Sequence, residues 1–407
     1  VSTAVEARSF DRMWTQLHEI GRDGHTNGYR RFAWTAEDAT LREWFTAMAA
    51  ERGLDVTTDR VGNLWAWTSD PDAAVAAGDP GLVIGSHLDS VPDGGAFDGP
   101  LGVVSSFAAL DAVRATGAEL RRPLGIVCFG DEEGARFGIA CTGSRLLTGE
   151  MTPERAGQLR DENGVALPEA MRRGGVAVEH LGRDEQALRR IGGFIELHVE
   201  QGRGLIDLGA PVAVASAIRP HGRWRLELAG EANHAGTTLL VDRHDPMLDL
   251  AQVILTARSA AAERGCVATV GKVRVRPNGV NAIPSAVTAW LDARGPVADD
   301  VRAVAEAVGV AGRTVAEEES FTPATVFDAD LRDRLARALG RAAGPAPILE
   351  SGAGHDAGIL AEAGIPSAMV FVRNPTGISH SPAEFAERDD CLAGVAALTA
   401  VVRELAG

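Results

Sequence analysis

Four short apolar runs, each ending in a histidine or a carboxylate, constrain this chain more than any other feature. LVIGS leads into His87, and LGIVCF into Asp131, Glu132 and Glu133. GGFIELHVEQG contains His198, and SAMVFV is followed closely by His380. Continuous apolar runs of this length, alternating with helical segments, are what a parallel sheet covered on both faces requires. In open parallel sheets the carboxyl ends of the strands gather on one edge, where ligands bind. Polar clusters delivered there by four separate strands are hard to dismiss as four unrelated turns.

The intervening segments fit. TAEDATLREWFTAMAAERG (35–53) opens with Thr-x-x-Asp, a capping pattern, and stops at a glycine. LDVTTDRVGNLWAW (54–67) reads as an extended hairpin, and LGVVSSFAALDAVRATG as a helix ending at Gly117. Near residue 217 the texture changes. RWRLELAGEANHAG alternates polar and apolar residues, a helix follows over 246–264, then the strands VATVGKVRV and AVTAWLDAR, then a helix over 299–310. That β-α-β-β-α-β order predicts a small sheet with helices on one face. From 328 the first texture returns, with helices at 328–342 and 356–363, the strand SAMVFV (367–372) and a last helix from 389. The expected architecture is α/β: a mostly parallel sheet covered by helices in a catalytic domain (1–216 and 328–407), interrupted by an inserted α+β lid (217–327).

Charge narrows the partners. A net charge of −16 without any basic run argues against nucleic acid or an anionic membrane as a partner. Cys128, Cys141, Cys266 and Cys391 are widely spaced, so neither a disulfide framework nor a zinc knuckle is indicated. The N-terminal VSTAVEARSFDRMW lacks the pattern of a signal peptide, and no run of eighteen apolar residues occurs. The expectation is a reducing, cytoplasmic setting.

SHLDSVPDGGAFDGPLG sets Asp89 two residues from His87, where a carboxylate can take the second ring proton of a metal-bound imidazole. Asp98 follows between glycines, just before a helix. These segments, with DEEGARF, ANHAGTT, PNGVNAIP, LDAR, GAGHDA and GISHSP in order, resemble the dinuclear-metal aminoacylase/carboxypeptidase superfamily. Within it they resemble the branch of N-carbamoyl-L-amino acid hydrolases, allantoate amidohydrolases and ureidopropionases, over roughly residues 10 to 400.

The resemblance implies a role for each matching residue. His87 and His198 would hold one divalent ion, Glu133 and His380 a second, and Asp98 would bridge them. Asp89 would orient His87, and Glu132 would act as general base. Peptidase branches carry a carboxylate where His198 stands, which favours the carbamoylase branch. In the lid, His234, Asn281 and Arg294 match positions that grip the substrate's carboxylate and the developing oxyanion. Gln201 is a candidate for the substrate's amide group. Three imidazoles and two carboxylates suit zinc first, then manganese, cobalt or nickel. The resemblance also implies a homodimer through the lid, since members of the family usually dimerise and the lid histidine often serves the partner's site. Thr-Thr-Leu-Leu follows HAG where relatives often have Thr-Thr-Pro-Met, a departure expected to alter lid packing or the pocket wall.

The expected activity is hydrolysis of a linear amide or ureide C–N bond in a small carboxylate substrate, allantoate or an N-carbamoyl-L-amino acid. Alternatives are an N-formyl or N-acyl amino acid hydrolase, a metallopeptidase of the same superfamily, or a catalytically silent binding protein. His18, His25, His180, His221 and His244 read as solvated or structural, and Cys128 as a core residue. His355 in SGAGHDAG reads as a packed neighbour of the site or a substrate contact. The glycines of that stretch make only a weak match to a nucleotide loop.

Overall fold

The computed structural model describes residues 2–407. The chain divides into two compact units. The first comprises the chain up to Ser216 with Val326–Leu349 and Gly354–Gly407; the second comprises Ala217–Thr325 with Glu350–Ala353.

A nine-stranded mixed sheet forms the centre of the first unit. Seven of its strands run in the order Asp55–Thr58, Leu64–Trp67, Leu124–Phe129, Gly81–His87, Ile191–Val199, Ser367–Val372, Val212–Ile218. The middle four are mutually parallel, and antiparallel strands flank them on both sides. The parallel strands are buried almost without interruption, which is why they read as unbroken apolar runs. Helices Ser2–Leu17, Pro100–Ala115, Ala329–Ala343 and Arg388–Ala406 share one core with this sheet, built around Val104, Phe107, Leu335 and Leu398. Helix Ala36–Glu51 begins as its sequence suggests: Thr35 accepts from the Asp38 amide, and the Asp38 carboxylate takes the Trp34 amide.

Register aligns the functional ends. His87 pairs with Phe129, immediately before the Asp131–Glu133 turn, and His198 pairs with Phe371. All four polar clusters therefore emerge at the carboxyl edge of the parallel strands.

The second unit is a four-stranded antiparallel sheet in the order Glu317–Thr322, His221–Ala229, Ala286–Arg294, Val267–Arg276. Helices Pro246–Glu263 and Ala298–Ala311 cover one face, where Trp224, Leu226, Val287, Leu291, Val253 and Val304 meet. One detail differs from the sequence reading. The alternating strand stops at Ala229, the Gly230 backbone packs so closely on the Pro246 ring that a β-carbon there would lie 2.3 Å from Cδ, and Asn233–His234 form a separate short pair with Ala282–Ile283. His221 is half-buried, on the strand opposite Arg294, whereas His18, His25, His180 and His244 are exposed.

Candidate metal centre

Every first-unit residue singled out from the sequence as a ligand or base lies at the strand edge. His87, Asp98 and His198 present donor atoms within 4.8 Å of one another, as do Asp98, Glu133 and His380. Asp98 belongs to both groups. Its Oδ1 lies 3.1 Å from His198 Nε2 and 3.6 Å from His87 Nε2, and its Oδ2 lies 3.4 Å from His380 Nε2.

The imidazoles are oriented by the backbone. His87 Nδ1 lies 3.2 Å from the Asp89 carbonyl and 3.3 Å from its carboxylate, and His198 Nδ1 lies 2.9 Å from the Val199 carbonyl. All of these neighbours are acceptors, so each Nδ1 carries a proton and each Nε2 is left facing Asp98, where a metal ion or a second proton is needed between them. The Asp89 carboxylate also reaches the next strand end, where its two oxygens accept the amides of Glu132 and Glu133 at 3.1 and 3.0 Å. One side chain thus fixes a histidine and the adjacent glutamate pair.

The glutamate turn is rigid. Amides of Cys141, Thr142 and Gly143 donate to the carbonyls of Glu132, Asp131 and Gly130 at 2.6, 2.9 and 2.9 Å. Asp131, Cys141 and His380 all have positive φ near 55°, strain of the kind that clusters where a site dictates geometry. Glu132 Oε2 lies 3.7 Å from His87 Nε2, and Cys141 Sγ donates to Oε1 at 3.3 Å.

Electrostatics match a cation-binding cluster. Burial drives the Glu132 carboxyl well above its ordinary range, and burial with the Asp98 charge pushes Glu133 to about 7. Burial alone would lower the His87 pKa, but the Glu132, Asp89 and Asp98 carboxylates outweigh it and hold the ring well above its usual value. Burial opposes ionisation of Asp98 too, and the surrounding histidines still keep it well below the carboxylate range. His87 Nε2 and Glu133 Oε1 are buried and make no hydrogen bond among the described residues. Unpaired buried polar atoms of this kind are costly unless a ligand completes them. With two nitrogen–oxygen groups sharing a carboxylate, the residues present fit a pair of divalent cations.

A third compact group, Glu196, His198 and His355, does not fit a cation in the same way. Both Glu196 oxygens are occupied, by Ser86 Oγ at 2.8 Å and the Ala357 amide at 3.0 Å. His355 is buried, its ring edge-on to His198 at 4.5 Å. Gln201 aims its amide nitrogen at Asp98 Oδ2, at 2.8 Å. Cys128 is buried and its thiol is pushed up to about 12 by burial, as for a core residue.

The remaining candidates lie in the second unit. His234 and Asn281 are exposed neighbours, with the Ala235 amide bonded to the Asn281 carbonyl. The Gly236 amide donates to His234 Nδ1 at 3.0 Å, which leaves the proton of the neutral ring on Nε2. Arg294 is held in a two-point bond by Asp292 at 2.7 and 3.0 Å and donates to the Gly352 carbonyl. Leu239 and Leu240, the departure after HAGTT, are largely exposed.

Three neighbours of the site are missing from the sequence-based set. Glu196 and Cys141 are two. The third, Glu384, accepts the amides of Phe97 and Asp98. Glu196 had a signal, a carboxylate inside an apolar strand; the other two had none.

The profile of Peptidase family M20/M25/M40 matches residues 83–404. The chain belongs to this family. An N-carbamoyl-L-amino acid amidohydrolase of Geobacillus stearothermophilus is 36% identical over 97% of this chain and 98% of its own length. An allantoate amidohydrolase of Bacillus subtilis (strain 168) is 31% identical over 97% and 96%. Among solved structures, AtUAH in complex with (S)-hydroxyglycine superposes with a TM-score of 0.89 at 26% identity, covering 98% of this chain and 97% of that one. Among the described residues no helix is long and apolar enough to cross a membrane.

Proposed function

We propose that this chain is a dinuclear metal-dependent amidohydrolase that cleaves the carbamoyl C–N bond of N-carbamoyl-L-amino acids. The observation that carries the reading is Asp98, shared by two compact donor groups beside a buried carboxylate, Glu132, that belongs to neither. His87 and His198 would hold one ion and Glu133 and His380 the other, with Asp98 within reach of both. Zinc suits the donors first; manganese, cobalt and nickel accept the same set. When bound, the ions supply Lewis acidity toward a water and toward the scissile carbonyl.

The chain's own residues do the rest. Glu132 takes a proton from the attacking water and returns it to the leaving nitrogen. Asp89 keeps that base in place by accepting hydrogen bonds from the backbone amides of Glu132 and Glu133. The carbamate released breaks down to ammonia and carbon dioxide, leaving the free amino acid. His234, with its proton on Nε2, donates to the oxyanion, and Arg294 pairs with the substrate carboxylate. Asn281 supports His234, and Gln201 turns from Asp98 toward the substrate amide.

Spacing within the second unit bears on assembly. Asn281 and His234 adjoin the start of strand Ala286–Arg294, and Arg294 is its last residue. Nine residues at ~3.3 Å per step put these groups on the order of 25 Å apart. A substrate of amino-acid size cannot touch both within one subunit. That spacing supports the homodimer that the family resemblance implies, joined through the second unit as lid, with one copy's His234 and Asn281 serving the other's site. Four unpaired, buried cysteines suit a reducing, cytoplasmic location.

Allantoate is the second reading, favoured by the Bacillus subtilis relative and by the same pairing of carbamoyl group and carboxylate. Ammonia release from protein loaded with zinc or manganese, with N-carbamoyl-L-amino acids and allantoate side by side, tests both. Release from the carbamoyl amino acids supports the proposal, and release from allantoate alone replaces it with the second reading. Silence on both, or faster cleavage of dipeptides, sinks it.

A further inference from the structure

We infer that Glu384 is a positioning residue that ties the loop carrying Asp98 to the loop carrying His380, and so sets the geometry of the Asp98–Glu133–His380 group. The inference rests on the reading of that group as a metal site.

Glu384 is only 4% exposed. Its Oε1 accepts the Phe97 amide at 2.8 Å and the Asp98 amide at 2.9 Å. Its Oε2 accepts the Ser379 hydroxyl at 2.7 Å, and Ser379 Oγ also lies 3.2 Å from Asp98 Oδ2. One carboxylate therefore holds the backbone of a donor residue and the side chain preceding another, between segments 287 residues apart. Both of its oxygens are engaged. That separates it from His87 and Glu133, whose buried Nε2 and Oε1 make no hydrogen bond.

Space has been cleared for it. A β-carbon at Gly95 would lie 2.3 Å from Glu384 Oε1, so glycine there serves the close approach of the carboxylate. On the far side, His380 sits at φ 54°, a conformation a histidine holds only when its surroundings impose it. The buried Asn374 side chain pins the start of that loop through Ile378, Thr376 and Gly377, and Glu384 pins its end. Without the tie, the two loops would be aligned through side chains alone, by Ser379 Oγ at 3.2 Å from Asp98 Oδ2 and by Gln201 Nε2 at 2.8 Å from Asp98 Oδ2 and 3.3 Å from His380 Nε2, and no longer through the Asp98 backbone. Residues that orient ligands from behind typically cost about 10–100-fold in metal affinity when removed.

The test is a zinc titration of stripped protein against a chromophoric chelator, comparing the parent with Glu384→Ala, Glu384→Gln and Ser379→Ala. The parent is expected to bind two ions. Glu384→Ala should keep one ion near parent affinity, at His87 and His198, and weaken the other by about 10–100-fold. A glutamine carbonyl can accept the same two amides, and its NH2 can meet Ser379, so Glu384→Gln should stay within about threefold of the parent. Parent-like affinity for both ions in Glu384→Ala overturns the inference. So does a Glu384→Gln protein as weak as the alanine variant, which would mean charge matters and the tie does not. Should Glu384→Ala fail to fold, Ser379→Ala should weaken the second ion about tenfold, and an unchanged value there is equally fatal. A parent that binds no second ion sinks the metal reading itself, and the inference with it.

Discussion

Helix Pro100–Ala115 has a positive-φ glycine at each end, and the pair makes a controlled test of how tightly the site is built. Gly99, at φ 83°, precedes the helix beside Asp98; Gly117, at φ 71°, follows it. Alanine at Gly117 incurs left-handed strain of about 1–2 kcal/mol, and at Gly99, whose φ 83° and ψ −62° are those of a strained γ-turn, at least as much. At Gly117 nothing lies within 4 Å of the new β-carbon, so the strain is the whole cost. At Gly99 the β-carbon would sit 2.4 Å from His87 Cε1 and 2.5 Å from Nδ1. His87 is wholly buried, and its ring would have to retreat by about 1 Å to restore ordinary contact. Overpacking of this kind adds about 1–3 kcal/mol. At about 2 °C per kcal/mol for a unit this large, Gly117→Ala should melt about 2–4 °C below the parent and Gly99→Ala about 4–10 °C below it. The larger effect falls on metal. A 1 Å shift is about twice the tolerance of a ligand constellation, so Gly99→Ala should lose at least about a hundredfold in zinc affinity, while Gly117→Ala loses none. Differential scanning fluorimetry of stripped protein and a chelator-competition titration measure the two effects separately. Equal zinc affinity in the two variants would refute the placement of His87 as a ligand packed against Gly99.

Further expectations follow from the same geometry. Glu132→Gln should keep both ions and the fold yet lose about 10²–10⁴ in turnover; retained turnover removes Glu132 from the role of base. Stripping the ions should lower the melting temperature, since a ligand at about 100 times its Kd contributes about 2.7 kcal/mol, and an identical melting curve with and without chelator counts against the site. His234→Ala and Arg294→Gln should each be nearly inactive, while a refolded equal mixture recovers about a quarter of parent activity through mixed dimers; no recovery contradicts sharing between subunits. Burial raises Asp38 to about 6, so between pH 4 and 6 the folded chain keeps a proton that the unfolded chain releases. Asp38 should lower stability as pH rises through that window, by at most about 1.4 kcal/mol per unit, alongside Asp59, which burial also raises to about 6; Asp38→Asn should make the fall shallower, and parallel pH profiles for the two proteins exclude it.

How much was legible before the structure differed by kind of residue. Strand-borne ligands were readable because a parallel strand buried on both faces appears as an apolar run, and His87, Glu133 and His198 interrupt or end such runs. Helix limits such as Thr35 and Gly117 were readable because capping is local chemistry. The strand Val212–Ile218 escaped notice, although VAVASAI is itself a β-rich run, because it adds antiparallel to the sheet after a helix of only five residues. Glu384 was beyond reach. Its partners are backbone amides 286 and 287 residues away, and no local pattern in SPAEF records them. The second role of Asp89, holding the Glu132–Glu133 backbone, depends likewise on a turn that closes only in three dimensions.

The central claim is that turnover needs two ions on either side of Asp98. The most direct measurement is ammonia release from an N-carbamoyl-L-amino acid during stepwise return of zinc or manganese to stripped protein, with bound metal counted in each sample. The account predicts negligible release from metal-free protein and a maximum reached at two ions per chain. Full activity at zero ions, or binding that saturates at a single ion with no loss of rate, would contradict it.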